Sequence, residues 1–304
     1  MDQLRFDERA VIVTGAGRGF GRCHALLLAS RGAKVVVADY GVNLDGSGSS
    51  SGPADEVVEE IRAAGGDAVG ACADVADEEQ AASIIQTALD SFGRLDAVVN
   101  NAGIVEHHWF DEQAPEHFRR NADVHYLGTV YVCKAAWPHF QAAGYGRIVN
   151  TTSEAIIGNV PKATAYSGAK GGVFAFTRAL ALDGIRQGIR VNAVAPRGNT
   201  RMSSKSVLAH TFDMPEDAFD NPFMDQMTPD KVSPGVAYLA HETCAVNGET
   251  LISGMGMVAR LALVAATGFS SDEMTPEAIA QNIDAVMDTT DAQIQNAEPL
   301  SHGG

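Results

Sequence analysis

A doubly wound α/β fold in a single domain, a parallel sheet flanked by helices with a C-terminal extension, is what this chain predicts, and three observations predict it. Short β-branched runs recur at 10–14, 34–38, 67–71, 96–100, 147–152 and 189–195. Helical patterns alternate with them at about 19–31, 54–64, 78–92, 115–142, 164–187 and 232–241, and a last strand falls near 249–253. A glycine-rich turn directly follows the first run. Such alternation builds βαβ units around a parallel sheet. A sheet of that kind receives its ligands at the carboxyl ends of its strands.

Each element has a local reason. The first run, Ala10 through Thr14, opens onto Thr14-Gly15-Ala16-Gly17-Arg18-Gly19-Phe20-Gly21, and the helix beginning there carries Leu26, Leu27 and Leu28. The spacing is Gly-x-x-x-Gly-x-Gly, which lets backbone approach a pyrophosphate and aims helix N-terminal amides at it, as in a Rossmann-type dinucleotide site. Gly15, Arg18, Gly19, Phe20 and Gly21 are therefore candidate cofactor residues. A glycine-rich strand-to-helix connection is the bland alternative, and its place in the first βαβ unit weighs against that. The second run ends at Asp39, whose carboxylate can accept hydrogen bonds from an adenosine ribose and repel a 2′-phosphate. NAD is favoured over NADP on that ground, although the Arg18 guanidinium offers a competing attraction for the phosphate. A Gly/Ser-rich loop at 41–52 follows, without the spaced carboxylates of a calcium loop. Asp74, with Val75 beside it, follows the third run and either reaches the adenine edge or caps the next helix. Asn101-Ala102-Gly103 closes the fourth run, where small residues can lie under a cofactor or simply pack tightly.

Tyr166 and Lys170 stand four residues apart and share one helix face. An ammonium beside the ring favours phenolate and lowers a Tyr pKa that is otherwise about 10. Ser153 follows the apolar run ending at Thr152, so its hydroxyl falls beside that helix. Ser, Tyr and Lys together point to carbonyl chemistry.

Composition narrows the classes. The 304 residues carry a formal net charge of -16, which would repel a phosphate backbone or an anionic membrane surface, so neither nucleic acid nor membrane is an expected partner. Cys23, Cys72, Cys133 and Cys244 are widely spaced without a Cys-x-x-Cys pair and read as reduced thiols of a cytoplasmic protein. The N-terminus lacks a basic region followed by an apolar stretch, and no apolar run reaches the roughly 18 residues of a membrane span. His107 and His108 would face opposite sides of an extended chain with no third ligand nearby; no metal is expected, and a substrate entrance or water is their expected surrounding. The domain is read as 1–256, with a substrate lid at about 199–230. The extension at 257–304 reads as helical from a Thr275 cap with Pro276 in the first turn, with Ile279, Ile283 and Val286 docking on this subunit or a neighbour, and as disordered after about Ala292.

In order, the glycine loop, Asp39, Asn101-Ala102-Gly103, Ser153, Tyr166, Lys170 and the stretch from Pro196 to Thr200 resemble the short-chain dehydrogenase/reductase family over roughly residues 7 to 256. More narrowly, the insertion after Asp39, His125 in Val124-His125-Tyr126-Leu127-Gly128, and His241-Glu242-Thr243-Cys244 are similar to the (3R)-hydroxyacyl-CoA dehydrogenase domain of type-2 multifunctional enzymes. The resemblance implies hydride transfer between NAD and a small-molecule secondary alcohol or ketone. Tyr166 would be general acid or base, Lys170 would lower its pKa and bind the nicotinamide ribose, and Ser153 would hold the substrate oxygen. Pro196 would border the nicotinamide, with Arg197 standing where the family usually has Gly, and Thr200 would contact the carboxamide or phosphate or else cap the lid segment. His125 stands where the family often has an Asn of a proton path; it either relays protons or is a buried structural histidine.

The lid residues Met202, Phe212, Met214, Phe219, Phe223, Met224 and Met227 suit a bulky apolar substrate or pack the lid itself. A 3-hydroxyacyl thioester would need cations, for which Arg197, Arg201 and Lys205 are candidates. By family analogy the two long helices form the core of a homodimer or homotetramer. The competing readings are a redox-inactive NAD-binding regulatory or scaffold protein, which the intact Ser, Tyr and Lys argue against, and a nicotinamide-using epimerase or dehydratase.

Overall fold

The computed structural model describes residues 3–43, 47–220 and 222–298. Its centre is built from β1 (Ala10–Thr14), β2 (Lys34–Ala38), β4 (Ala97–Asn100) and β5 (Gly146–Thr151), runs of Val, Ile and Ala that are buried almost throughout. Continuous burial, rather than alternation, is what a parallel sheet covered on both faces requires. With β3 (Asp67–Ala71), β6 (Ile189–Pro196), β7 (Thr250–Gly254) and β8 (Met257–Leu261), the order across the sheet is β3-β2-β1-β4-β5-β6-β7-β8. All neighbours are parallel except β8, which returns antiparallel on β7. The order reverses between β1 and β4, so the crevice for a ligand opens beyond their carboxyl ends.

Helices cover both faces. On one, α1 (Gly19–Ser30) and α2 (Gly52–Ala63) bury Leu28, Val57 and Ile61 against Val11, Val13, Val35 and Val37. On the other, α3 (Glu78–Phe92) lays Ile84 and Ile85 on Ile12, Val36 and Val98. The α3 ends follow from sequence. Asp77 accepts the Gln80 amide at 2.9 Å, and Gly93 closes the helix at φ +71°, a conformation glycine adopts without steric cost. Asp74 therefore does not cap α3; its Oδ1 accepts the Ala76 amide at 2.9 Å instead.

The helix expected at 115–142 is interrupted. It runs as α4 (Pro115–Asn121), a π-helical turn over Ala122–Leu127, and α5 (Gly128–Ala143). A π turn inserts a residue into the helical ladder and re-aims the side chains within it. Here it buries His125 beneath the end of β4. Gly128 lets the turn close down, since a Cβ there would stand 2.9 Å from Val75 Cγ2. α6 (Thr164–Gly184) follows β5 and carries Tyr166 and Lys170 on its first two turns.

Within 199–230 the chain forms α7 (Lys205–Phe212) and the short α8 (Pro222–Asp225), and α9 (Ser233–Ala240) returns to the sheet. Of the apolar lid residues, Met202 and Phe212 line the crevice, Phe219 packs on Phe212 at 6.3 Å between rings, and Met214 stays 48% exposed. The side chain of Phe223 lies outside the described residues. In the extension, Thr275 caps α10 (Pro276–Gln281) as its sequence indicates, and α11 (Ile283–Met287) follows. Ile279 and Ile283 remain 42% and 47% exposed, so among the described residues this face is left largely open. Past Ala292 the described residues include β10 (Gln293–Ile294), paired with β9 (Val264–Ala265), and the expectation of disorder for residues 299–304 falls outside the described residues. No helix among the described residues is long and apolar enough to cross a membrane.

Candidate active site

A cavity of about 800 Å³ opens at the carboxyl ends of β1 and β4 and is lined by Gly15, Arg18, Gly19 and Phe20 of the glycine loop and by Asp39, Asp74, residues 101–103, His125, Ser153, Tyr166, Lys170, Pro196 and Thr200. On its floor the glycine loop is fitted to β4 by contacts that leave no room for side chains. A Cβ on Gly21 would lie 2.1 Å from the Gly15 oxygen, and one on Gly15, at φ +62°, 2.8 Å from Ala102 Cα. Asn101 fastens this approach by donating from Nδ2 to the oxygens of Thr14 and Gly15 at 3.0 and 3.1 Å. Thr14 Oγ1 accepts the amides of Asn101 and Ala102 in return. Thr14 was not singled out from sequence, and its signal was its place directly before the first glycine.

Asp39 spreads its carboxylate over two backbone amides, Gly17 N at 2.7 Å and Gly41 N at 2.6 Å. It both pins the loop to β2 and borders the cavity. Two guanidinium groups stand nearby: exposed Arg18, as expected, and Arg201, which donates to the Val42 oxygen at 3.2 Å. Burial pulls Arg201 below its ordinary value, Arg18 pulls the same way and Asp39 opposes both. Asp74, Val75 and Ala76 line the next stretch of wall, and Phe20, Pro196, Gly198 and Thr200 the opposite one. Thr200 Oγ1 accepts the Met202 amide, and its Cγ2 would be 3.3 Å from a Cβ on Gly19.

Ser153, Tyr166 and Lys170 converge on this cavity from β5 and α6. Ser153 Oγ accepts the Ala155 amide at 3.1 Å, so it does cap a turn, and it lines the same cavity as Tyr166. Lys170 is 4% exposed; its Nζ donates to the Thr151 oxygen at 2.7 Å and lies 5.8 Å from the centre of the Tyr166 ring. The expected direction for Tyr166 is corrected here. Burial raises the phenol above its ordinary value, and the opposing pull comes from Ser153. Desolvation has meanwhile drawn Lys170 down to about 7, so the neighbour expected to stabilise phenolate carries only part of its charge at neutral pH.

His125 meets the Tyr166 ring edge to face, with centroids 5.2 Å apart. Its Nε2 stands 3.0 Å from the Ile104 oxygen and 3.4 Å from the Ile104 amide nitrogen; the shorter contact, to an oxygen that can only accept, favours the proton on Nε2. Nδ1 is buried without a partner among the described residues. Burial first, then Lys170, hold the ring neutral, well below 6.5. Gly103 makes the placement possible, since a Cβ there would lie 2.6 Å from His125 Cε1.

The three proposed lid cations divide. Arg197 is committed to Glu154 through two hydrogen bonds of 2.9 and 2.5 Å, and Lys205 pairs with Asp220. Arg201 alone of the three lines the cavity. Glu154 had no signal in the sequence beyond following Ser153. His107 lines the cavity while His108 stacks on His117 at 4.9 Å, which resolves the expectation for this pair. No cluster of potential metal ligands occurs among the described residues.

A doubly wound sheet with a glycine loop fitted to β4, and Ser, Tyr and Lys side chains on the facing wall, defines a class of nucleotide-dependent oxidoreductase. The sequence profile described as short chain dehydrogenase matches residues 9–209, and the chain belongs to that family. It is similar to a short-chain type dehydrogenase/reductase of Mycobacterium tuberculosis, 42% identical over 267 residues that cover 88% of this chain and 89% of that one. It is also similar to the peroxisomal multifunctional enzyme type 2 of Mus musculus, 39% identical over 306 residues, which are 99% of this chain but 40% of that protein. Among solved structures, a short chain dehydrogenase from Mycobacterium avium superposes with a TM-score of 0.77 at 36% identity, covering 93% of this chain and 97% of that one. The family implies a nicotinamide cofactor, and the side-chain-free approach of Gly15 and Gly21 to β4 fits one.

Proposed function

We propose that the chain interconverts a secondary alcohol and a ketone with NAD, Tyr166 serving as general acid and base. The observation that carries this reading is that Ser153, Tyr166 and Lys170 line the same cavity as the glycine loop. When bound, the dinucleotide takes or gives hydride at its nicotinamide ring. Ser153 Oγ and the phenol hold the substrate oxygen between them. In the oxidative direction the phenolate accepts the hydroxyl proton, and in reduction the phenol returns it. Lys170, drawn to about 7 by burial and held beside the phenol ring by its bond to Thr151, can hold or release a proton there near neutral pH. His125, neutral and with Nδ1 unengaged, is an acceptor beside this pair and extends the proton path.

NAD is supported by Asp39, whose negative charge borders the cavity; Arg18 and Arg201 are the opposing influence. Gly15, Gly19, Phe20, Asp74, Val75, Asn101, Ala102, Gly103, Pro196 and Thr200 complete the proposed cofactor wall, with Gly21 packed behind Gly15. The substrate class we favour is a 3-hydroxyacyl thioester or another bulky apolar alcohol, supported by Met202, Leu208 and Phe212 on the lid side and by the similarity to multifunctional enzymes. A homodimer or homotetramer remains part of this reading by family analogy.

The test is a panel of secondary alcohols and 3-hydroxyacyl thioesters assayed with NAD and NADP. The reading predicts turnover with preference for NAD. Cofactor binding without turnover on any member would contradict it.

A further inference from the structure

His107 sits on the cavity wall after β4, and the face it meets belongs to the lid helix α7. Its Nδ1 lies 2.5 Å from Thr211 Oγ1. The same hydroxyl is 2.7 Å from the Val207 oxygen one helical turn earlier. A carbonyl oxygen can only accept, so the single hydroxyl proton of Thr211 goes to Val207. Thr211 must then accept from His107, which places the ring proton on Nδ1. Nε2 is left as a bare lone pair, and it has no partner among the described residues. Burial first, then His210, His108 and Lys162, hold His107 at about 4, so the ring is neutral at physiological pH.

The contact is held by more than this one bond. Lys162, its side chain 4% exposed, donates to the His210 oxygen at 2.6 Å and to Asp213 Oδ1 at 2.5 Å, at the carboxyl end of α7. Lys162 and Asp213 both adopt left-handed φ, +59° and +52°, which non-glycine residues rarely do. His210 Nε2 donates to the His107 oxygen at 2.7 Å, and the His108 amide donates to the Lys162 oxygen at 3.0 Å. The lid helix, the loop after β4 and the loop before α6 are thus tied together around one imidazole.

We propose that His107 is a specificity residue, its tautomer set by Thr211 so that Nε2 offers a hydrogen-bond acceptor to an N–H or O–H group on the substrate. The proposal rests on the alcohol-oxidoreductase reading above and adds to it what the lid side of the cavity recognises. A site that holds an acceptor in place discriminates against an analogue whose donor has been removed.

Two measurements test it. Long-range ¹H–¹⁵N correlation spectra, with His107 assigned by comparison with His107→Gln, should show the Nδ1–H tautomer. Thr211→Ser should keep it and Thr211→Val should lose it. In kinetics, the N-acetylcysteamine thioester of 3-hydroxybutyrate would be compared with its N-methylated amide analogue, and a hydroxyalkyl 3-hydroxybutanoate with its methyl ether. The donor-bearing member of at least one pair should be favoured roughly five- to tenfold in kcat/KM, the range of one neutral hydrogen bond. That preference should vanish in His107→Phe and Thr211→Val and persist in Thr211→Ser. Whichever pair shows it names the amide or the hydroxyl as the group read. An Nε2–H ring, or equal rates within both pairs, in an enzyme that turns alcohols over would overturn the proposal and leave the oxidoreductase reading intact. Failure to turn over any alcohol would overturn that reading, and the substrate half of this proposal with it, whatever the tautomer.

Discussion

Lys170 holds its ammonium nitrogen 5.8 Å from the centre of the Tyr166 ring, and burial has drawn its pKa down to about 7. The folded value lies below the unfolded one of about 10.4. Between those two values the unfolded chain binds more protons, so this group makes stability rise with pH from about 7 upward, and its full cost is present below that. Lys170→Met should therefore raise stability at neutral pH by about 0.5–2 kcal/mol, as removal of a strained functional group often does. Its stability curve should be flatter between neutral and alkaline pH, while turnover falls. Denaturant unfolding across that pH range reads both effects.

The proposed preference for NAD rests on Asp39. Asp39→Ser removes the charge that opposes a 2′-phosphate while Arg18 and Arg201 remain. The NADP to NAD ratio of kcat/KM should rise at least about tenfold, a change of about 1.4 kcal/mol. Absolute rates should fall with both cofactors, because the amides of Gly17 and Gly41 lose their acceptor. Adding Arg201→Ala should reverse much of the gain.

Gly103 and His125 are coupled by contact. Gly103→Ala would put a methyl 2.6 Å from His125 Cε1 and 3.1 Å from Nδ1, so the ring must move. A loss of about 1–3 kcal/mol in stability is expected. With His125→Ala in the same chain the clash is gone, and a double-mutant cycle should show the two costs to be strongly non-additive.

Glu154 and Arg197 tie the turn after Ser153 to the end of β6. Glu154→Gln should cost about 0.5–1 kcal/mol in stability, as a part-exposed ion pair does. It should also lower kcat/KM more than it lowers cofactor affinity, which isothermal titration and steady-state kinetics separate.

The strand and helix order was readable because parallel strands buried on both faces leave continuous β-branched runs, as in Val35-Val36-Val37 and Ile148-Val149. That the glycine loop, Ser153, Tyr166 and Lys170 meet at one cavity was readable because strand ends and helix spacing place them there. What escaped depends on tertiary context. The π turn around His125 leaves no periodic trace in a stretch that reads as one long helix. β8 returns as an antiparallel edge strand with Met257 and Val258 half exposed, so it lacks the apolar signature of the central strands. The pairing of Arg197 with Glu154 joins residues 43 apart in the chain, which no local pattern encodes. The spacing of Tyr166 and Lys170 shows a neighbouring amine but not how far burial raises the phenol and discharges that amine.

Everything turns on the phenol of Tyr166, so the most direct measurement is turnover of Tyr166→Phe on the best alcohol of the panel, with NAD affinity measured alongside. Removal of a general acid and base predicts a fall of about 10²–10⁴ in kcat with NAD binding changed little. Turnover equal to that of the unaltered enzyme would contradict the account.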